Sequence, residues 1–382
     1  MKRKVLLFSR DPGGANTIIP LVRPLEEKGY EISLFGKDIA MEKYAESGLK
    51  AFNIMDFVQD VELSSVEKFL ADEKPDFIIT GTSADDFTEK FIWKSAEKLN
   101  IPSFAIIDQW INYGIRFSKY GLSRLKAYLN DKSYPYLPAK ILVADEISKK
   151  EAVKDGLDES GIAVVGHPYF EFLLNRGRKI TNREIKETRQ HFDVGDDEFM
   201  ITFASEPVSS DYAQEGSLQH YWGFSEKTIF SELLDAIKKV NYGLNRKVTV
   251  VIKLHPREKS NNFSDVISSY QGGNIRVKIS DDFDAVNLMC ASDLICGMSS
   301  MFLIESVILG RPVISIQIGL KRENPFVLDR VGVLKSILDR DELSGKIKSA
   351  IFDNSLLKCS FEFIRNPVEN IISLMEMHLC RN

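Results

Sequence analysis

The chain is 382 residues long, 44% hydrophobic and 27% charged, with a formal net charge of −5. That length favours two domains over one, and the acidic balance argues against a general nucleic-acid binder, whose footprint is basic. The four cysteines, Cys290, Cys296, Cys359 and Cys380, form no Cys-x-x-Cys pair, so reduced thiols in a cytoplasmic protein are expected rather than a zinc or redox motif.

The N-terminal MKRKVLLFSRDPGG reads as a strand and turn, because its apolar run is too short for a signal-peptide core. No later stretch is long and apolar enough to span a membrane. After the strand 5–8 comes the turn SRDPGGAN, then helical spacing from Ile18 to Lys28. The turn lacks the Gly-x-Gly-x-x-Gly spacing of dinucleotide sites. Asp11, Gly13, Gly14 and Asn16 therefore either simply make the turn or form a sugar- or acceptor-binding loop at the carboxyl end of a strand.

Strands follow at 32–35, near 50–54, at 77–80 and at 103–107, with helices at 38–47, 66–72 and 88–99 between them. This alternation predicts a parallel sheet covered by helices. The loop GTSADD and Glu89 after it are secondary site candidates, since acidic residues commonly open helices. Asp108 stands just past a strand, beside Trp110, Asn112, Tyr113 and Arg116. Asp108 there can serve as a base or orient a hydroxyl, Trp110 can stack on a sugar face, and Arg116 can bind the sugar or acceptor. Alternatively, Asp108 is a helix cap and Trp110 a core residue. Residues 118–138 read as a helix–loop excursion, followed by a strand at 141–144, a helix at 146–155 and a strand at 162–165. The polar run RGRKITNRE marks a domain boundary.

The second half repeats the pattern, with a helix at 185–192 and a strand at 199–204. Ser205, a candidate phosphate contact, opens a polar loop that runs to residue 224 and is long enough to suggest a function. A helix at 225–242 and a strand at 248–253 lead to Lys253-Leu254-His255-Pro256-Arg257. An imidazole with basic neighbours at a strand end can meet a diphosphate or protonate a leaving group. A strand at 275–278 and a helix at 283–290 precede the strand 293–296, the loop Gly297 to Ser300, a helix at 301–309 and a strand at 313–316. A helix N-terminus carrying two serines is suited to phosphate, and Glu305 one and a half turns on to a ribose diol. The alternative is a capped helix with a solvated glutamate. Lys321 and Arg322 follow in a loop, and helices are expected at 341–352 and 368–379.

These residues carry a family pattern. The chain resembles GT-B glycosyltransferases and UDP-N-acetylglucosamine 2-epimerases, and looks nearest to bacterial capsule or surface-polysaccharide transferases. Ser299, Ser300, Glu305, Gly310, Arg311 and Pro312 occupy the epimerases' Ser-Gly-Gly, glutamate, Gly-Lys-Pro pattern, with a Ser-Ser pair as in capsule enzymes. Lys253-Leu254-His255-Pro256 is similar to the His-Pro motif of sialyl- and capsule transferases, and Gly166-His167-Pro168 to a Gly-x-Pro element closing the first domain. The epimerases' His-Arg-Arg-Glu-Asn motif is absent: the chain reads Ser205, Glu206, Pro207.

The resemblance implies two Rossmann-like, doubly wound parallel-sheet α/β domains facing a cleft. Residues 1–178 form the acceptor and sugar domain and 179–366 the nucleotide domain, with a C-terminal helix in 367–382 that can pack back on the first. It implies a metal-independent glycosyltransferase without a cofactor, taking a nucleotide-sugar donor and a sugar or polysaccharide acceptor. Asp108 and His255 are the expected catalytic residues, and Ser205, Lys253, Ser299, Ser300 and Glu305 the expected nucleotide contacts. A nucleotide-sugar 2-epimerase or hydrolase, and a non-catalytic binding protein, stand as alternatives. The oligomeric state is open, with a homodimer among the options.

Overall fold

The computed structural model describes residues 2–211, 221–242, 246–270, 274–280, 283–353 and 359–379. Residues 212–220 of the long loop after Ser205, and Cys380, lie outside the described residues. The chain divides into two compact units, Met1–Phe172 with Phe363–Asn382, and Leu173–Glu362.

The first unit holds seven strands: β1 (Lys4–Ser9), β2 (Glu31–Gly36), β3 (Phe52–Asn53), β4 (Phe77–Thr80), β5 (Ser103–Ile106), β6 (Lys140–Val143) and β7 (Ile162–Val164). They pair in parallel in the order β3-β2-β1-β4-β5-β6-β7. Their sequences are continuous apolar runs because both faces are covered. Leu6 and Phe8 point into one cluster, with Ile92 and Trp93 of the helix Thr88–Leu99. Val5 and Leu7 point into the other, with Ile18 and Leu21 of the helix Pro12–Glu27. Ile371, Ile372 and Met375 of the helix Pro367–Leu379 complete that second cluster, and Asn370 Nδ2 donates to the Val165 carbonyl at 2.9 Å.

β3 is shorter than the sequence predicts. The Asn53 side chain accepts from the Met55 N–H and turns the chain into a 3₁₀ turn at Ile54–Asp56.

The second unit holds β8 (Phe199–Ala204), β9 (Val248–Lys253), β10 (Ile275–Ser280), β11 (Leu294–Gly297) and β12 (Val313–Ser315). These are parallel, in the order β10-β9-β8-β11-β12. Phe199, Ile201 and Phe203 face the helix Glu226–Asn241 through Phe230 and Leu233, while Met200 and Val251 face Leu288 and Phe192 on the other side. Each unit is thus a doubly wound parallel α/β sheet, as the alternation predicted. The order reverses beside β1 in the first sheet and beside β8 in the second, so the carboxyl ends flanking those strands are where open sheets of this kind bind ligands. No helix among the described residues is long and apolar enough to cross a membrane.

Candidate functional site

In the first unit the reversal lies between β1 and β4, and two glycines let the loops beyond them touch. A Cβ on Gly81 would lie 2.7 Å from the Cα of Gly14. Gly14 is therefore a close-packing residue rather than an open ligand contact. A Cβ on Gly13 would lie 1.8 Å from Asp108 Oδ2, so Gly13 makes room for that carboxylate. Asn16 is partly exposed in the first turns of the helix that begins at Pro12.

Asp108 is buried, and its Oδ1 accepts from Arg116 Nη1 at 3.0 Å. Arg116 also donates to the Thr82 carbonyl and hydroxyl at 2.9 and 2.7 Å, and its Nε to the Asn112 carbonyl at 3.1 Å. With 3% exposure Arg116 is a clamp on Asp108 and the β4 loop, which corrects its expected contact with sugar. Trp110 is corrected likewise. Its indole is buried, donates to Asp145 Oδ2 at 2.7 Å and stacks against His167 and Phe170, so it offers no face to a sugar. The His167 ring, held neutral by burial, donates Nε2–H to the Asp108 carbonyl at 3.0 Å.

Asp11 lies beside this cluster, paired with Arg10 at 3.1 Å. Burial pushes its carboxyl up and the Asp108 charge adds to this, while Ser83 and Arg10 oppose it. Asp86 behaves differently. Burial works against its charge, but Lys37 at 2.7 Å and Thr88 outweigh burial and hold it below the usual range.

Behind the β4 loop lie two buried ionisable residues, Glu89 and Lys90. Both carboxyl oxygens of Glu89 are buried without a partner among the described residues. Lys90 donates to three carbonyls, those of Ile115, Ser118 and Tyr120, at 3.2, 2.8 and 2.8 Å. Lys90 thereby fixes the stretch 115–120, which contains Arg116.

In the second unit β8 lies between β9 and β11, and the expected residues follow the ends of these three neighbours. Ser205 comes one residue after β8, His255 two after β9 and Ser299 two after β11. All three stand on one sheet edge, yet carboxyl groups lie among them. Ser205 Oγ donates to Glu258 Oε1 at 2.8 Å, and Glu258 Oε2 accepts the His255 N–H at 2.9 Å. The His255 Nδ1 accepts from the Arg257 N–H at 3.2 Å, which leaves the neutral ring's proton on Nε2. Lys253 Nζ donates to the Leu254 carbonyl at 3.1 Å.

The serine pair departs from expectation. Ser300 occupies the N-cap of the helix Met301–Ile308, but its hydroxyl makes no cap bond and is buried without a partner among the described residues. The Ser299 N–H donates to Glu206 Oε1 at 2.5 Å and the Ser299 hydroxyl to Oε2 at 3.0 Å. A side-chain carboxyl thus sits where the sequence places phosphate. Burial pushes Glu206 up, the donors of Ser299 and Ser300 oppose it, and the balance lies at about 7. Burial pushes Glu258 up as well.

Glu305 is buried within the helix, 8% exposed. Lys321 and Arg322 lie over the rings of Tyr221 and Trp222. Among the described residues no group of three or more His, Cys, Asp and Glu is placed to hold a metal ion.

No family model and no curated protein sequence matches the chain. Solved structures do match in fold over its whole length. A UDP-GlcNAc 2-epimerase from Neisseria meningitidis bound to UDP-GlcNAc matches with a TM-score of 0.65 at 18% identity, covering 99% of this chain and 100% of the other. The UDP-GlcNAc 2-epimerase of Methanocaldococcus jannaschii matches with a TM-score of 0.63 at 18% identity, covering 99% and 100%. MnaA of S. aureus in complex with UDP matches with a TM-score of 0.66 at 16% identity, covering 99% and 97%. These likenesses establish the fold. They also overturn the glycosyltransferase expectation, because two of these structures, matched over the whole chain, are UDP-GlcNAc 2-epimerases.

Proposed function

We propose that this protein is a nucleotide-sugar 2-epimerase whose substrate is a UDP-N-acetylhexosamine. The observation that carries the reading is the likeness of both parallel sheets, over the full chain, to 2-epimerases, one of them solved with UDP-GlcNAc. The strand-end edge of the second unit, with Ser205, Lys253, His255, Ser299, Ser300 and Glu305, is assigned to the nucleotide. The cluster around Asp108 and Asp11 in the first unit is assigned to the sugar.

The chemistry asks for these groups. In a nucleotide-linked hexosamine C1 is locked as an acetal carbon and is no carbonyl to acidify the C2 proton, so that proton leaves with cleavage of the neighbouring C1–O bond. A base takes the proton, the electron pair forms a C1=C2 double bond, and UDP departs with the C1–O electrons. Protonation of C2 from the opposite face, with return of UDP to C1, inverts C2. Asp108, fixed by Arg116, is assigned as the base, and Asp11, whose carboxyl burial pushes toward its neutral form, as the acid. His255 Nε2–H and the helix terminus at Ser299 and Ser300 relieve charge on the departing diphosphate.

Incubation with UDP-GlcNAc in D₂O, followed by NMR, tests the assignment. UDP-N-acetylmannosamine carrying deuterium at C2 is the expected product. Free UDP without the epimer makes the protein a hydrolase of the same substrate, a reading kept by the missing epimerase motif at Ser205 to Pro207. No turnover and no thermal stabilisation by UDP-sugars overturns both.

A further inference from the structure

This inference rests on the nucleotide-sugar reading and deepens it. The donors that a phosphate would use at the helix Met301–Ile308 already have an acceptor. Ser299 gives Glu206 its N–H at 2.5 Å and its hydroxyl at 3.0 Å, and the Ser300 N–H acts on the same carboxyl. Glu206 keeps some exposed surface as a residue, but its carboxyl is enclosed. A second observation at the same spot points to a ligand. The Ser300 hydroxyl is buried and unpartnered although it stands at the N-cap, where a hydroxyl ordinarily finds a backbone N–H. A phosphate arriving here meets either a carboxylate, and two anions share one helix terminus, or a neutral carboxyl that can give up its two N–H partners and offer an O–H.

We propose that Glu206 is a proton-linked selector at this helix terminus: a nucleotide sugar binds with the Glu206 carboxyl neutral, and each binding event takes one proton from solvent. Before binding, Glu206 balances near neutrality, at about 7, between burial and its serine donors. Handing those donors to a phosphate and adding the phosphate charge both favour the protonated form. The other charged groups of this edge are Glu258 and, acting on it, Glu226, with Lys253 at the end of β9 and His255 and Arg257 on the turn after it. Glu258 drives Glu206 in the same direction.

Calorimetry on the full chain with UDP-glucose tests the proposal, since its diphosphate diester does not titrate near neutrality. Binding is measured in buffers of different ionisation enthalpy from pH 6 to 9. The wild type is expected to take up close to one proton per ligand at pH 8, with Kd weakening about tenfold per pH unit above 7. Glu206→Gln is expected to bind without proton uptake, with a flat pH profile, and more tightly than wild type at pH 9. Wild-type binding with no uptake overturns the inference without any variant, and so does uptake that persists in E206Q, which would assign the proton to His255. If UDP-glucose and UDP-GlcNAc bind neither protein at any pH, the nucleotide reading itself falls and this inference falls with it.

Discussion

Glu89→Gln isolates the energetic effect of one buried proton. Glu89 is 1% exposed, in the first turn of its helix, with both carboxyl oxygens unpartnered among the described residues. Burial, then the charges of Asp11 and Asp86, push its carboxyl from 4.5 to about 8. In the unfolded chain the group ionises at its ordinary value. Between the two values the native state therefore holds a proton that the unfolded state has lost. Native stability falls as pH rises through this window and levels off above it. Each pH unit corresponds to about 1.4 kcal/mol, so the full window amounts to about 5 kcal/mol. Glutamine keeps the shape and the unmet polarity but cannot ionise. E89Q is expected to match wild type near pH 4.5 and to exceed it by about 4 to 5 kcal/mol at pH 9. Because the chain has two units, the measurement is hydrogen exchange of β1 and β4 peptides across a urea series at each pH, which reports the first unit alone. A stability difference that stays constant from low to high pH would refute the reasoning, since only the ionisation of Glu89 distinguishes the two proteins.

Three other outcomes follow from the same geometry. Asp108→Asn should reduce epimerisation by roughly a hundredfold or more while UDP-sugar affinity, measured by calorimetry, stays near wild type; an equal loss in both makes Asp108 a binding residue. Gly81→Ala places a Cβ 2.7 Å from the Gly14 backbone and should destabilise the first unit by about 1 to 3 kcal/mol in urea melts, whereas Gly345→Ala, on an open helix face, should not. Lys90→Met removes the donor shared by three carbonyls and should speed amide exchange in residues 114–120 by more than about tenfold, with the β1 amides little changed.

Strand and helix alternation was legible because the strands are short apolar runs buried on both faces, so they stand out between polar turns. The rule that ligands meet the carboxyl ends of parallel strands also picked residues that the fold brings to a common sheet edge. Ser205, His255 and Ser299 do follow three adjacent strands, and Asp108 follows β5. What a residue does at such an edge was not legible, because its partners lie far away in the chain. The carboxyl that takes the Ser299 donors comes from 93 positions earlier, and the acceptor that holds the Trp110 indole in the core comes from 35 positions later. Residue type alone could not tell an aromatic ring open to sugar from one locked beside His167. Glu206 and Glu258 carry the same signal as Ser205 and His255, a polar group shortly after a strand, but an acidic residue type does not by itself point to an anion site. The same preference for local reading made β3 too long, since the Asn53 side chain that ends it competes with the ladder through one short bond.

The first unit is assembled from segments on either side of the second, and this sets a timetable for biosynthesis. Its second apolar cluster needs Ile371, Ile372 and Met375, which leave the ribosome only after the whole of the second unit. Until then Ile18, Leu21 and their neighbours have an uncovered flank, and the intervening unit can finish folding first. A nascent chain stalled or cleaved before Phe363 would carry that flank bare, making it a natural substrate for holdase chaperones and degradation.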